Sequence, residues 1–297
     1  MEPVVIIGCG DVGLRAARQL IAQGREVLAV VRSAERVRTL EAEAIPVHQA
    51  DLDIPEQAAA IPLADRPVIY LAQPPDPGIS DPRMGSFLAA CEAQPPARIV
   101  YISTTGVYGD QQGAEVTEQT PTHPQTDRAR RRLDAEEQLR AFMARQGTPV
   151  VILRVPGIYG PGRMPLARIR NRTPVVCPEQ APPGNRIHAE DLASLSIAAL
   201  DRGVAGDIFN VGDGQHASMT DFLFTVADLA GLERPPCVPL AEADQHISPA
   251  MMSFIRESRI IKAEKGLEAL GVQLRHPDIE SGIRDAQRQE NEATHPR

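Results

Sequence analysis

The chain has 297 residues, 24% of them charged, and a formal net charge of -8. That is length enough for one large α/β domain or a nucleotide domain with a smaller lobe. The acidic balance excludes nucleic acid and anionic membrane as general partners, since both need a basic face.

From the N-terminus, Val4 to Ile7 is a β-branched run bounded by glycine, the composition of a strand buried on both faces of a parallel sheet. Gly8, Cys9, Gly10, Asp11, Val12 and Gly13 follow in G-x-G-x-x-G spacing, and Leu14, Ala17, Leu20 and Ile21 then recur at helical intervals. Gly8 permits the turn out of the strand, Gly10 lets a pyrophosphate approach the backbone, and Gly13 lets the helix pack on the sheet. The unpaired N–H groups opening that helix face the phosphates. Gly24 closes the helix, and Val27 to Val31 is the second strand.

Arg32 and Ser33 come next, where many NAD-binding folds place an acid on the ribose hydroxyls. No acid occurs between Val27 and Ala34. Arg32, Ser33 and Arg36 suit a 2′-phosphate, so NADP(H) is expected over NAD(H); a solvated arginine at a strand end is the alternative. Ala34 to Ala44 reads as a helix, Ile45 to His48 as a strand, and Asp51-Leu52 as a turn beside an adenine. Val68 to Ala72 is a further strand, with Leu71, Ala72 and Gln73 at its cofactor-facing end and prolines at 74 and 75 stopping it. A helix over Met84 to Glu92 and a strand over Arg98 to Ser103 complete an alternation that implies a Rossmann-type doubly wound parallel sheet.

The segment Ser103-Thr104-Thr105-Gly106-Val107-Tyr108-Gly109 places hydroxyls at the carboxyl end of a strand, where ligands bind in open α/β sheets. With Gly8 to Gly13, Ala135-Glu136, Leu153 to Gly162 and Asn185 to Ala193, the chain resembles the short-chain dehydrogenase/reductase superfamily over nearly its whole length. The resemblance is to the atypical and extended branches that include the NAD-dependent sugar epimerases and dehydratases. It implies that Thr104 is the catalytic hydroxyl, that Ser103, Pro156 and Gly157 border the cofactor, and that Arg186 and His188 turn toward the substrate side.

One part of the pattern is missing. The family's chemistry uses a Tyr-x-x-x-Lys pair one helical turn apart, the lysine holding the nicotinamide ribose and lowering the tyrosine's pKa. Aligned on Ala135-Glu136, this sequence has Arg128 and Arg132 at those places. Lysine occurs only at Lys262 and Lys265, so no mechanism needing an earlier lysine applies. Arg132 can still bind ribose, but a guanidinium is a poor proton shuttle. Tyr108 and Tyr159 are the nearest phenols by motif, with packing of the pocket wall as their bland reading, and His123 lies on the intervening loop. The arginines at 128 and 130 to 132 open a helix against its dipole. Glu136 and Glu137 pairing with Arg131 or Arg132 would compensate, or Arg128 meets an anionic group of the substrate.

Beyond Val150 to Val155, a short helix over Arg163 to Arg172, a loop over Pro174 to Asn185 and an element from Arg186 to Asp191 are expected. His188 also reads as a structural histidine beside Asp191. Asp207 to Val211 returns to the sheet, and helices follow over 218–230, 258–271 and 278–286. The expected division is a dinucleotide core over 1–155, completed by about 187–213, a substrate lobe over 156–186 and 214–287, and a frayed tail over 288–297. Cys9, Cys91, Cys177 and Cys237 show no C-x-x-C pairing, so no metal centre or disulfide framework is expected. Without a signal-type leader or an apolar run of membrane-spanning length, the protein is expected to be cytoplasmic, a monomer or homodimer. Three functions stay open: an NADP(H)-dependent oxidoreductase acting on a small polar or sugar-derived carbonyl or alcohol, a catalytically silent NADP(H)-binding sensor, and a sugar-nucleotide epimerase or dehydratase.

Overall fold

The computed structural model describes residues 2–294. Its first half alternates β1 (Val4–Ile7), α1 (Asp11–Ala22), β2 (Val27–Val31), α2 (Ala34–Glu41), β3 (Val47–Gln49), α3 (Pro55–Ala59), β4 (Pro67–Tyr70), α4 (Pro82–Ala93) and β5 (Arg98–Thr104). Then come β6 (Glu115–Val116), α5 (Asp127–Gln146), β7 (Val150–Val155), β8 (Gly157–Tyr159), α6 (Leu166–Arg170), β9 (Val175–Val176), β10 (Arg186–His188), α7 (Ala189–Arg202) and β11 (Ile208–Asn210). The chain continues through α8 (Met219–Leu229), β12 (Cys237–Val238), α9 (Ala243–His246), α10 (Pro249–Ile255), β13 (Ile260–Ile261), α11 (Glu264–Leu270) and α12 (Ile279–Thr294).

Seven strands form one sheet in the order β11-β7-β5-β4-β1-β2-β3, and every neighbouring pair is parallel. The chain leaves β1 toward β2 and β3 and then crosses back to β4, so the strand order reverses beside β1. A crevice opens at the carboxyl ends of strands at such a reversal. Side chains alternate across each strand: Val4 and Ile6 pack with Ala17, Leu20, Leu192 and Leu195 under α1 and α7. Val5 and Ile7 pack with Phe87, Leu88, Leu139 and Phe142 under α4 and α5. This double burial is why β1 and β4 are continuous apolar runs.

A separate cluster gathers Tyr159, Ile169, Val175, Phe222, Leu223, Val226 and Ile283, and a smaller one Val176, Ala243, Ile247, Met252 and Ile255. Several elements depart from the sequence expectation. Pro165 precedes α6, whose helix covers only Leu166–Arg170 rather than 163–172, since a proline favours a helix start and denies an earlier one its hydrogen bond. The expected loop over 174–185 contains β9, which pairs with β12.

The stretch 258–271 is not one helix: β13 pairs first with β6, and α11 starts at Glu264. Leu270, with Leu267, Val272 and Leu274, packs into the main core rather than the lobe. Helix α12 continues to Thr294 where fraying was expected from 288, and residues 295–297 lie outside the described residues. Cys177 and Cys237, distant in sequence, meet with their Sγ atoms 2.7 Å apart.

A dinucleotide cleft and an arginine-lined cavity

The glycine loop sits in the crevice that the sheet topology creates. Gly8 has φ +79°, and a Cβ there would lie 2.6 Å from the Ala72 amide nitrogen on the neighbouring strand end, so both conformation and space demand glycine. A Cβ on Gly13 would meet Ile6 Cγ2 at 3.1 Å, the close helix–sheet packing expected of the third glycine. A Cβ on Gly10 would meet nothing nearer than the Gly8 carbonyl oxygen at 3.8 Å, which leaves that face of the backbone open to a ligand. The cleft wall comprises Gly8 to Gly13, Arg32, Ser33, Arg36, Leu71 to Gln73, Ile102, Arg132 and Arg163. These residues fit a dinucleotide: open backbone at a helix N-terminus for its phosphates and arginines flanking both ends.

A contiguous recess takes in Asp51 and Leu52 together with Arg32 and Arg83. Arg32 is well exposed, its guanidinium 3.9 Å from Asp51 and 3.6 Å from Asp53, whereas Arg83 grips Asp53 through two bonds of 2.7 and 2.6 Å. That grip holds the Asp53 carboxyl below the usual carboxylate range and leaves Arg32 only loosely engaged. The Ser33 hydroxyl caps α2 by accepting from the Arg36 N–H at 3.2 Å. Arg36 donates to the Cys9 and Gly10 carbonyls at 2.9 and 2.6 Å, bracing the glycine loop from outside.

Each arginine at the start of α5 has its own partner, and none pairs with Glu136 or Glu137 as the spacing suggested. Arg128 donates to Ser253 Oγ at 2.9 Å and stacks over the Phe254 ring at 3.8 Å. Arg130 bonds Asp127 at 2.7 Å. Arg131 donates to the Gly78 carbonyl at 2.8 Å and pairs with Asp76. Arg132 donates to the Ile102 carbonyl at 3.0 Å and the Tyr101 hydroxyl at 3.3 Å and lines the cleft wall. The Thr104 hydroxyl accepts from the Gly106 N–H at 3.1 Å, which leaves its own proton to donate.

Four expected site residues turn into the protein instead: Ser103 is a correction outright, while Tyr108, Tyr159 and His188 take packing or structural roles of the kind given as their alternative reading. Tyr108 is fully buried: its hydroxyl donates to Asn210 at 2.8 Å and accepts from Arg154 at 2.9 Å, so it presents no phenol to a substrate. The Ser103 hydroxyl points the other way, donating to Glu136 at 2.6 Å inside the same buried network, and Arg154 grips Glu136 at 2.7 and 3.1 Å. Tyr159 belongs to the lobe core and donates to the Asp278 carbonyl at 3.2 Å.

His188 is buried against Tyr159 and His276, with ring centroids 5.2 and 3.9 Å away, rather than in a pocket. Its Nδ1 accepts from the Glu190 N–H at 3.3 Å, so in the neutral ring the proton sits on Nε2. Burial, with His276 nearby, pushes its pKa down to about 4. His188, His276 and Asp285 could in number supply three metal ligands, but the proton on Nε2 disfavours that use. His123 is exposed on its loop.

Beyond the cleft lies a cavity of about 290 Å³ whose walls include Thr105, Pro156, Gly157, Arg168, Arg186, Met251, Phe254 and Arg259. Pro156 and Gly157 thus line this cavity, next to the cleft. Most of the wall is apolar, contributed by α8, β9 and α10. Arg186 donates to the Ala217 and Ser218 carbonyls at 2.6 and 3.3 Å, and burial brings its pKa down to about 10. Buried Nε atoms of Arg168 and Arg259 and one Nη of Arg128 have no hydrogen-bond partner. Glu257 is the acid among the wall residues, 3.2 Å from Arg259. Sequence reading missed α10, Glu257 and Arg259 because their approach depends on how the lobe folds back. Arg163 was legible only as the first residue of an expected short helix, with no role in the cleft.

Known proteins agree with this architecture. The profile of the NAD dependent epimerase/dehydratase family matches residues 84–212, and that of the TrkA-N domain matches residues 4–72. Protein YeeZ of Escherichia coli K12 is 30% identical over 244 residues, spanning 79% of this chain and 86% of YeeZ. A functionally unknown conserved protein from Silicibacter pomeroyi is 29% identical and superposes with a TM-score of 0.80 over 97% of this chain and 99% of its own. The UDP-glucose 4-epimerase of Thermotoga maritima, solved with UDP-glucose, shares the fold at a TM-score of 0.81 and 17% identity, over 99% and 100% of the two chains. With the glycine cradle, the strand order and these matches together, the chain belongs to the NAD-dependent epimerase/dehydratase family.

Proposed function

We propose that this protein is an NADP(H)-dependent oxidoreductase acting on a small polar or sugar-derived carbonyl or alcohol that carries an anionic group. The observation that carries the reading is Arg32: an exposed guanidinium at the end of β2, only loosely engaged by Asp51 and Asp53, beside a Ser33 hydroxyl that still has a proton to give. That pair suits a 2′-phosphate through charge-assisted hydrogen bonds. The nicotinamide, when bound, supplies or accepts the hydride. Thr104 donates a hydrogen bond that polarises the substrate oxygen, while Arg132, fixed by Ile102 and Tyr101, holds positive charge at the cleft wall. The Nε donors of Arg168 and Arg259, two residues of the cavity wall, have no hydrogen-bond partner and favour a substrate carboxylate or phosphate, with an apolar wall for the rest. The Thermotoga epimerase solved with UDP-glucose supports a sugar-derived substrate.

A second reading, a catalytically silent NADP(H)-binding sensor, is favoured by one observation. All four tyrosines, at 70, 101, 108 and 159, are buried, so none presents a phenol to a substrate. An epimerase or dehydratase mechanism fares worst, because it relies on such a phenol.

Calorimetric titration of NADPH and NADH into wild type and Arg32→Ala tests the cofactor: NADPH affinity falls roughly tenfold or more, the scale of one lost charge-assisted bond, while NADH is unmoved. Equal losses for both would exclude the 2′-phosphate contact. Loss of NADPH absorbance over a panel of carbonyl acids and sugar nucleotides separates enzyme from sensor; a sensor binds NADPH tightly and turns over none.

A further inference from the structure

Arg163 follows β8 in the loop that connects core and lobe, and it reaches back across the mouth of the dinucleotide cleft. Its Nε bonds Asp11 Oδ2, and Asp11 is the first residue of α1, within the glycine motif itself. Nη1 and Nη2 of Arg163 make no hydrogen bond to any described residue. The other Asp11 oxygen accepts from Arg15 Nε at 3.0 Å. Arg15 also pairs with Glu190 and donates to the Pro161 carbonyl at 3.1 Å. Arg15 therefore pins the loop to α1 and fixes the carboxylate that holds Arg163.

Charge gives this arrangement its meaning. An acid in the first turn of α1 suits the helix dipole, yet it stands where the motif receives a dianionic pyrophosphate, and like charges so close repel. Arg163 cancels that charge and, through its remaining N–H groups, offers a fork that matches phosphate oxygens. Arg36 is directed elsewhere, since two of its three nitrogens serve the Cys9 and Gly10 carbonyls.

We propose that Arg163 is the pyrophosphate clamp of this protein, oriented by Asp11, which acts as its positioning residue. The clamp rests on the dinucleotide-binding reading above. It also makes loop 160–163 part of the cofactor site, although it belongs to the segment that leads into the lobe.

The test is calorimetric titration of wild type, Arg163→Ala and Arg163→Lys with NADPH, NADH, ADP and adenosine 2′,5′-bisphosphate, with melting temperatures recorded without ligand. For Arg163→Ala the expected result is a loss of roughly tenfold or more for the three ligands that carry a diphosphate, and less than twofold for the bisphosphate, which has none. Arg163→Lys retains charge without the fork and recovers part of the affinity. Raising salt weakens ADP binding less in Arg163→Ala than in wild type. A loss shared equally by all four ligands, or no loss for NADPH and ADP, overturns the clamp while the dinucleotide reading stands. Wild type that binds none of the four overturns that reading and the clamp with it.

Discussion

Tyr108 illustrates how a motif can keep a residue and change its use. In sequence it is a phenol in the right neighbourhood, and in space it is a buried joint between Arg154 and Asn210. Removing its hydroxyl leaves a guanidinium N–H and an amide oxygen unpaired in the core, at about 1–3 kcal/mol. Tyr108→Phe should therefore lower stability by that amount in urea unfolding and leave NADPH affinity within about twofold, as the usual spread for remote sites allows. A catalytic phenol would show the opposite, with stability kept and turnover lost. Gly8 was readable without coordinates because its demand is local, a positive φ at a strand end. Tyr108, Ser103 and Tyr159 were not, because rotamer and partner decide which way a hydroxyl faces, and those partners lie up to 119 residues away.

At the scale of an element, β10 and α7 meet at His188, which ends one and caps the other. In the fold its pKa is about 4, against an ordinary 6.5. Between those values the unfolded chain binds the extra proton and the native one does not, so stability rises with pH. The contribution is complete above about pH 6.5 and is lost as pH falls toward 4. Asparagine can still accept from the Glu190 N–H but does not titrate. His188→Asn should therefore flatten the acid limb of a stability–pH curve between those limits, whatever its effect at neutral pH. An unchanged slope would place the acid sensitivity elsewhere.

The elements themselves were largely foreseeable, since β1, β2, β4, β5 and β7 are apolar runs between turn residues. The short pieces β9, β12 and β13 were not, because two-residue pairings carry no periodicity. They form only where the lobe brings two strands together.

For the whole molecule, the informative departure is the return of residues 260–274 to the core. β13 pairs with β6, and a Cβ on Gly266 would lie 2.8 Å from the Asn210 carbonyl, so α11 lies hard against β11. Leu270 is fully buried there. The chain thus enters the lobe after β7, comes back for α7 and β11, leaves again, and comes back once more. Core and lobe, joined this way, should unfold as one unit. Leu270→Ala should cost about 2–5 kcal/mol and shift a single urea transition seen alike by far-UV circular dichroism and tyrosine fluorescence. Two separated transitions would show a lobe that melts by itself. The sequence expectation of a lobe running unbroken from 214 to 287 could not contain this crossing, because burial against a distant helix leaves no mark on local spacing.

Helix α5 carries Arg128, Arg132 and Glu136 one turn apart along a single stripe, and burial deepens along it, from a partly exposed Arg128 to a fully buried Glu136. The last of the three anchors the core through Arg154, while Arg132 meets the end of β5 and Arg128 meets α10 and Glu257. Heritable change can therefore rewrite the first two turns without touching the joint that keeps the helix in place.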